Sequence, residues 1–126
     1  AKPGAAERLA EQVAAKARAP DLLVNNAGFS VARGFARASL AEQDSFLELT
    51  IRTPVALTRL FLPRMLEKGW GRIINVSSIT ALSSGGKGHT LYPAGKSFLL
   101  KFSQSLAAEV AGRGVCVTAV LPGFVN

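Results

Sequence analysis

A tyrosine and a lysine four residues apart, Tyr92 and Lys96, are the pair of side chains in this chain best suited to acid–base chemistry. Positions i and i+4 lie one turn apart on the same face of a helix. An ammonium at that spacing stabilises a phenolate, so the phenol can donate or accept a proton near neutral pH. Ser78, upstream at the end of an apolar run, is placed to hydrogen-bond the same reacting oxygen.

Two other short motifs also stand directly after apolar runs. Asn25–Gly28 follows Leu22–Val24, and Pro122–Gly123 follows the run that begins at Val115. Short continuous apolar runs are typical of strands buried on both faces of a parallel sheet. Ligands of such sheets bind beyond the carboxyl ends of the strands. We therefore expect these motifs and Ser78 to meet at one rim of the sheet.

Helical and strand patterns alternate along the chain. Ser39 and Glu42 form a capping-box pattern at the start of the middle helix, Gly69 is its stop signal, and Pro54 predicts a kink or break within it. Strands separated by long helices imply right-handed crossovers and a parallel α/β sheet. The predicted outer helices are Ala5–Arg18 and Leu91–Ala111, and the predicted strands are Leu22–Val24, Arg72–Val76 and Val115–Leu121.

Composition limits the class of protein. The chain has 126 residues, 48% of them hydrophobic and 18% charged, which fits one globular domain. Its net charge of +7 comes from dispersed Lys and Arg residues, so we expect no nucleic-acid partner. No apolar run is long enough to span a membrane. The single cysteine, Cys116, excludes an internal disulfide framework and favours the cytoplasm, and its strand position predicts a core thiol.

Together and in this order, these motifs resemble the short-chain dehydrogenase/reductase family. The matches are Asn-Asn-Ala-Gly after a buried strand, Ser at the next strand end, Tyr-x-x-x-Lys at a helix start, and a final Pro-Gly. The resemblance covers essentially the whole chain but only the middle of the family's domain. It implies a partial Rossmann-like, doubly wound parallel sheet over residues 1–126, truncated at both ends, with three strands and crossover helices.

The resemblance also implies an activity and a cofactor. The full-length parent would be an oxidoreductase that uses NAD or NADP to interconvert a carbonyl and a secondary alcohol. Tyr92 would be the acid/base, Lys96 would support Tyr92 and bind the nicotinamide ribose, and Ser78 would polarise the carbonyl. Tyr92 and Lys96 are also implied to contact the cofactor, and the other residues implied to border it are Asn26, Ala27, Gly28, Pro122, Gly123 and Val125.

One position departs from the family's pattern. The family usually has an Asn in the helix before the serine strand, where it helps hold a water that relays protons to the lysine. Thr50 stands at that position here. Threonine keeps a hydroxyl but loses the reach and second donor of the amide. Its presence leaves open the alternative of a non-catalytic dinucleotide-binding or regulatory protein of the same fold.

Other readings of the sequence are weaker. Gly95–Ser97 matches the end of an ATPase phosphate-binding loop, but Thr90 stands where that loop needs a glycine. His89, the only histidine, is expected to be a solvated loop residue, and we expect no metal site.

The default substrate is a small or medium apolar ketone or secondary alcohol. The parent is expected to form a homodimer or homotetramer, and the isolated 126 residues are expected to be inactive.

Overall fold

The structure is a computed structural model that describes residues 2–16 and 20–123. A π-helical turn at Glu48–Arg52 joins α2 to α3, and a 3-10 turn at Ile79–Leu82 follows β2. The predicted end of the first helix at Arg18 lies outside the described residues. The helices and strands, in chain order, are α1 (Ala5–Lys16), β1 (Leu22–Asn25), α2 (Leu40–Leu47), α3 (Thr53–Lys68), β2 (Gly71–Val76), α4 (Leu91–Glu109) and β3 (Val115–Val120).

The three strands form one parallel sheet in the order β1-β2-β3, as the sequence predicts. In the register, Leu23 pairs with Ile73, and Ile73 pairs with Val117. Each crossover advances one strand in the same direction, and right-handed crossovers of that kind place their helices on one face of the sheet. All three carboxyl ends therefore meet at the same rim.

The core lies between that face and the helices. Met65 of α3, Leu106 of α4 and Val110 directly after α4 pack on Ile73 and Val115 of the strands, and all five are buried. A second cluster joins α1 to α3, where Ala6 packs against Ala56, Leu57 and Phe61. Helix α1 is thus attached to the sheet mainly through α3.

The opposite face of the sheet is not covered by the described residues. Leu22 is 53% exposed and Val24 is 48% exposed, and Cys116 is exposed as well. The predictions of strands buried on both faces and of a core thiol at Cys116 are therefore wrong for this part of the chain. Alternate strand residues point to opposite faces, and here the helices supply cover on only one.

The long middle helix begins and breaks where the sequence predicts. Ser39 Oγ accepts from Glu42 N at 3.1 Å, and the Glu42 carboxylate accepts from Ser39 N at 2.9 Å. The π-helical turn ends just before Pro54, which lacks the N–H that would donate to the Thr50 carbonyl four residues back. Gly69 then caps α3 in the left-handed conformation, with φ of 72°.

A chain of buried hydrogen bonds ties β1, β2 and α4 together. Asn25 Nδ2 donates to Asn75 Oδ1 at 2.8 Å, and Asn75 Nδ2 donates to Ser103 Oγ at 2.9 Å. Ser103 Oγ in turn donates to the Leu99 carbonyl at 2.7 Å. The Asn75 side chain is fully buried, so both ends of its amide depend on these partners.

Asn75→Ala should therefore destabilise the full-length protein strongly. It leaves the Asn25 amide and the Ser103 hydroxyl buried with a lost partner, and each unsatisfied group costs about 1–3 kcal/mol. We expect a loss of roughly 2–4 kcal/mol in the free energy of unfolding measured by urea titration. Gln104→Ala, an exposed change on the same helix, should cost less than about 0.5 kcal/mol. Equal losses in the two variants would contradict a structural role for the hydrogen-bond chain.

Candidate active site

A cavity of about 530 Å³ opens at the carboxyl ends of the strands. It brings together residues from the loop after β1, the end of β2, the start of α4 and the turn after β3, as the sequence predicts. Ala27 is not among the lining residues, and Val125 lies outside the described residues. The predicted site residues that line the cavity are Asn26, Gly28, Ser78, Tyr92, Lys96, Pro122 and Gly123.

Tyr92 and Lys96 lie in the first two turns of α4. Lys96 Nζ stands 5.5 Å from the centroid of the Tyr92 ring, within range of a cation–π interaction. The same Nζ donates to the Val76 carbonyl at 2.9 Å. Lys96 is only 5% exposed, and this burial lowers its pKa, because the charged form loses hydration. A Cβ at Gly28 would lie 3.6 Å from Lys96 Nζ, so the loop after β1 passes close to the ammonium.

Ser78 lies two residues after the end of β2, and Thr80 holds its side chain. Its Oγ accepts from Thr80 N at 3.2 Å and lies 3.0 Å from Thr80 Oγ1. This turn fixes the direction of the Ser78 hydroxyl, and Thr80 also lines the cavity. The sequence analysis missed Thr80, although Ser-x-Thr directly after a strand is a recognisable side-chain–backbone turn.

The neighbouring serine holds α4 against the sheet. Ser77 Oγ donates to the Lys96 carbonyl at 2.6 Å, and Ser97 Oγ donates to the Ala81 carbonyl at 2.9 Å. Both bonds join the helix to the segment that carries Ser78. Ser77 thus has a structural role, and it positions Lys96 through the backbone.

Thr50 lies beneath the site and does not line the cavity. It is 1% exposed, and its Oγ1 has no hydrogen-bond partner among the described residues. Helix α4 comes close to it at Gly95, where a Cβ would stand 3.0 Å from both Thr50 Cγ2 and the Phe46 ring. Gly95 thus serves helix packing inside α4, which argues against an ATPase phosphate loop at Gly95–Ser97.

Two other classes of feature are missing from the described part of the chain. Residues 2–16 and 20–123 hold no group of three or more His, Cys, Asp or Glu side chains arranged for a metal ion. Over the same ranges, no helix is both long and apolar enough to cross a membrane.

Comparison with known proteins identifies the relatives of this chain. A family model described as short chain dehydrogenase matches residues 1–126. The 3-oxoacyl-[acyl-carrier-protein] reductase FabG of Aquifex aeolicus is 39% identical over 106 residues, which cover 84% of this chain and 42% of the reductase. The chain spans about half the length of the relatives that it matches.

Solved structures agree in fold. A short-chain dehydrogenase from Streptomyces avermitilis superposes with a TM-score of 0.88 at 36% identity, over 100% of this chain and 47% of that one. A Beutenbergia cavernae protein, assigned as an NAD(P)-dependent gluconate 5-dehydrogenase and solved with NADP at low occupancy, gives 0.87 at 35% identity. That match covers 98% of this chain and 49% of the other.

Lys96→Met should stabilise the fold at neutral pH. Burial lowers the pKa of Lys96 below its ordinary value of 10.5, so the ammonium loses hydration on folding and is disfavoured in the folded protein. Removing the charge should raise the free energy of unfolding of the full-length protein by roughly 0.5–2 kcal/mol at pH 7. Between the folded-state pKa of Lys96 and 10.5, the unfolded chain binds more protons than the folded protein does. The free energy of unfolding of the wild type therefore rises with pH over this range, and its difference from that of Lys96→Met becomes smaller.

Urea titrations across this pH range measure the difference in the free energy of unfolding between the wild type and Lys96→Met. Lys101→Met removes an exposed charge from the same helix and serves as the matched control, with no pH-dependent gain expected. A Lys96→Met protein less stable than the Lys101→Met protein at pH 7 would contradict the assignment of a costly buried ammonium.

Proposed function

This chain belongs to the short-chain dehydrogenase family, and on that premise we propose that the full-length protein interconverts a carbonyl and a secondary alcohol with NAD or NADP. The observation that carries the proposal is the meeting of Ser78, Tyr92 and Lys96 at one cavity beyond the strand ends. The reductase from Aquifex aeolicus and the dehydrogenase from Streptomyces avermitilis support an oxidoreductase.

Each of the three residues has a chemical role in the proposal. In the direction of reduction, Tyr92 donates its phenolic proton to the carbonyl oxygen as that oxygen gains negative charge. Ser78 donates a hydrogen bond to the same oxygen, from a hydroxyl oriented by Thr80. The Lys96 ammonium stabilises the phenolate that remains, and its attraction is strengthened because the Lys96 side chain is largely buried.

The residues present fit a nicotinamide nucleotide. When bound, that cofactor supplies or accepts the hydride that the protein's own side chains cannot carry. In the proposal, Lys96 hydrogen-bonds its ribose, and the lack of side chains at Gly28 and Gly123 leaves room along the cavity wall. The other residues proposed to border it are Asn26, Ala27, Pro122 and Val125. NADP in the Beutenbergia cavernae structure supports this cofactor class.

The remaining parts of the proposal concern the whole protein. Its substrate is a small molecule, its location is the cytoplasm, and it assembles as a homodimer or homotetramer. The 126 residues alone span about half of the relatives' length, so we propose that dinucleotide binding and turnover belong to the full-length enzyme.

Tyr92→Phe tests the proposed function directly. The change removes only the hydroxyl, so kcat for reduction of a ketone panel should fall by about 10²–10⁴-fold. Nucleotide affinity, measured by fluorescence titration, should stay within about threefold because the ring still packs beside Lys96. Phe102→Leu, on the same helix and away from the cavity, is the control for general disturbance of α4.

Two results would contradict this proposal. Tyr92→Phe retaining wild-type turnover would remove Tyr92 as the acid/base. Wild-type protein that binds NAD or NADP but reduces no ketone and oxidises no secondary alcohol would favour the non-catalytic dinucleotide-binding alternative.

Thr50→Asn tests the proposed proton relay. The Thr50 hydroxyl is buried without a partner, so it makes no hydrogen bond toward Lys96 within the described residues. An amide of similar volume adds a second donor and longer reach, and we expect kcat to rise by roughly two- to tenfold. Thr50→Val, which keeps the shape and removes the hydroxyl, should leave kcat near the wild-type value. Unchanged or slower turnover in Thr50→Asn would contradict a role for this position in the relay.

A further inference from the structure

Two donors of a single residue converge on the Ser78 hydroxyl. Thr80 N donates to Ser78 Oγ at 3.2 Å, and Thr80 Oγ1 donates to the same oxygen at 3.0 Å. A serine hydroxyl has two lone pairs that can accept and one proton that it can donate. Both lone pairs of Ser78 are therefore occupied from within the chain, and its proton remains for a further hydrogen bond.

The surroundings of Ser78 make these two donors hard to replace by water. Ser78 is only 8% exposed, although it lines the cavity at the strand ends. The Thr80 side chain is branched at Cβ, and such side chains have few accessible χ1 angles. The Thr80 hydroxyl is thus held beside Ser78 at a small cost in side-chain freedom.

The backbone of the 3-10 turn that carries both residues is anchored on two sides. Ala81 N donates to the Ser78 carbonyl at 3.0 Å, within the turn. Ile79 N donates to the Pro122 carbonyl at 3.1 Å, and Ser97 Oγ donates to the Ala81 carbonyl at 2.9 Å. The turn is therefore tied both to the segment after β3 and to α4, and its geometry does not depend on a bound ligand.

The chemistry of a carbonyl sets the direction of these hydrogen bonds. A ketone oxygen has no proton and can only accept. When it lies at Ser78, the Ser78 hydroxyl donates to the ketone and the Thr80 hydroxyl donates to Ser78. Hydrogen bonds in such a chain polarise and strengthen one another. In oxidation, the alcohol oxygen accepts from Ser78 in the same way and gives its own proton to the Tyr92 phenolate.

We propose that Thr80 is a positioning residue for the reaction, because its N–H and its hydroxyl make Ser78 a hydrogen-bond donor directed at the substrate oxygen. This inference rests on the proposed function and deepens it. Thr80 acts through Ser78 and makes no bond of its own to the substrate. Its hydroxyl should therefore affect turnover only while the Ser78 hydroxyl is present.

Thr80→Val tests the role of the hydroxyl in the full-length enzyme. Valine keeps the branched shape and the N–H but lacks the side-chain donor to Ser78. We expect kcat for a ketone that the wild type reduces to fall by about three- to tenfold, as the loss of one hydrogen bond predicts. Thr80→Ser restores the hydroxyl, so its kcat should stay within about twofold of the wild-type value.

Ser83→Ala is the matched control. Ser83 Oγ donates to the Thr80 carbonyl at 3.5 Å, so this variant removes a hydroxyl from the same turn and leaves both donors to Ser78 in place. Its kcat should also stay within about twofold of the wild-type value, because a bond of that length contributes little.

A double-mutant cycle with Ser78→Ala separates positioning from a general disturbance of the turn. Ser78→Ala removes the donor to the substrate and should lower kcat by about 10²–10³-fold. In that background, adding Thr80→Val should lower kcat by less than about twofold more, because the group through which Thr80 acts is gone. Nucleotide affinity, measured by fluorescence titration, should be the same in all of these variants.

The outcomes separate this inference from the proposed function. Wild-type kcat in Thr80→Val overturns the inference, and so does an equal fold-loss from Thr80→Val with and without the Ser78 hydroxyl. Both results leave the oxidoreductase proposal standing. If the wild type binds nucleotide but turns over no ketone and no secondary alcohol, the inference and the proposed function are both overturned.

Discussion

The buried amide of Asn75 is the constraint on which the arrangement of the site depends. It accepts from Asn25 at the end of β1 and donates to Ser103 within α4, both at hydrogen-bond distance. A buried amide without partners would cost more than an ordinary hydrogen bond contributes. The relative positions of β1, β2 and α4 are therefore fixed just below the rim. Asn25–Gly28, Ser78 and the Tyr92–Lys96 pair extend from these same elements, so the hydrogen bonds of Asn75 bring them together.

The direction of the crossovers supplies the second constraint. Because β1, β2 and β3 are added in order, the helices lie on one face, and α4 begins beside the strand ends near Ser78. Gly95 lets α4 approach the π-helical turn, and Pro54 explains why that turn is not α-helical. Thr50 lies at the junction of these two adjustments, buried and without a hydrogen-bond partner among the described residues. The position at which this chain departs from the family's pattern is thus also the position at which the helix geometry is irregular.

Lys96 illustrates a conflict between stability and chemistry. Its burial lowers the pKa of the ammonium, which disfavours the charged form in the folded protein. The backbone around it is nevertheless well held, through the Ser77 bond to its carbonyl and its own bond to the Val76 carbonyl. A desolvated charge held in place by its neighbours is typical of functional sites. This arrangement fits the proposed role of Lys96, in which the ammonium acts on Tyr92 and on a nucleotide. The charge then contributes little to the stability of the fold.

The sequence by itself determined the local structure and the identity of the motif residues. The Ser39 cap, the break before Pro54, the Gly69 stop and the parallel strands depend on short-range patterns, and all were predicted within a few residues. Ser78, Tyr92 and Lys96 could be chosen because residue type and spacing on a helix or strand end are visible in the chain.

Only the tertiary structure decided which faces are covered and what surrounds the motifs. Cys116 is exposed because no described helix packs on its side of the sheet, and a strand's sequence does not reveal which face receives helices. The role of Thr80, and the Thr50 hydroxyl that has no hydrogen-bond partner among the described residues, arise from groups distant in sequence or from loop geometry. Local periodicity sets where side chains point, but their neighbours depend on how separate elements pack.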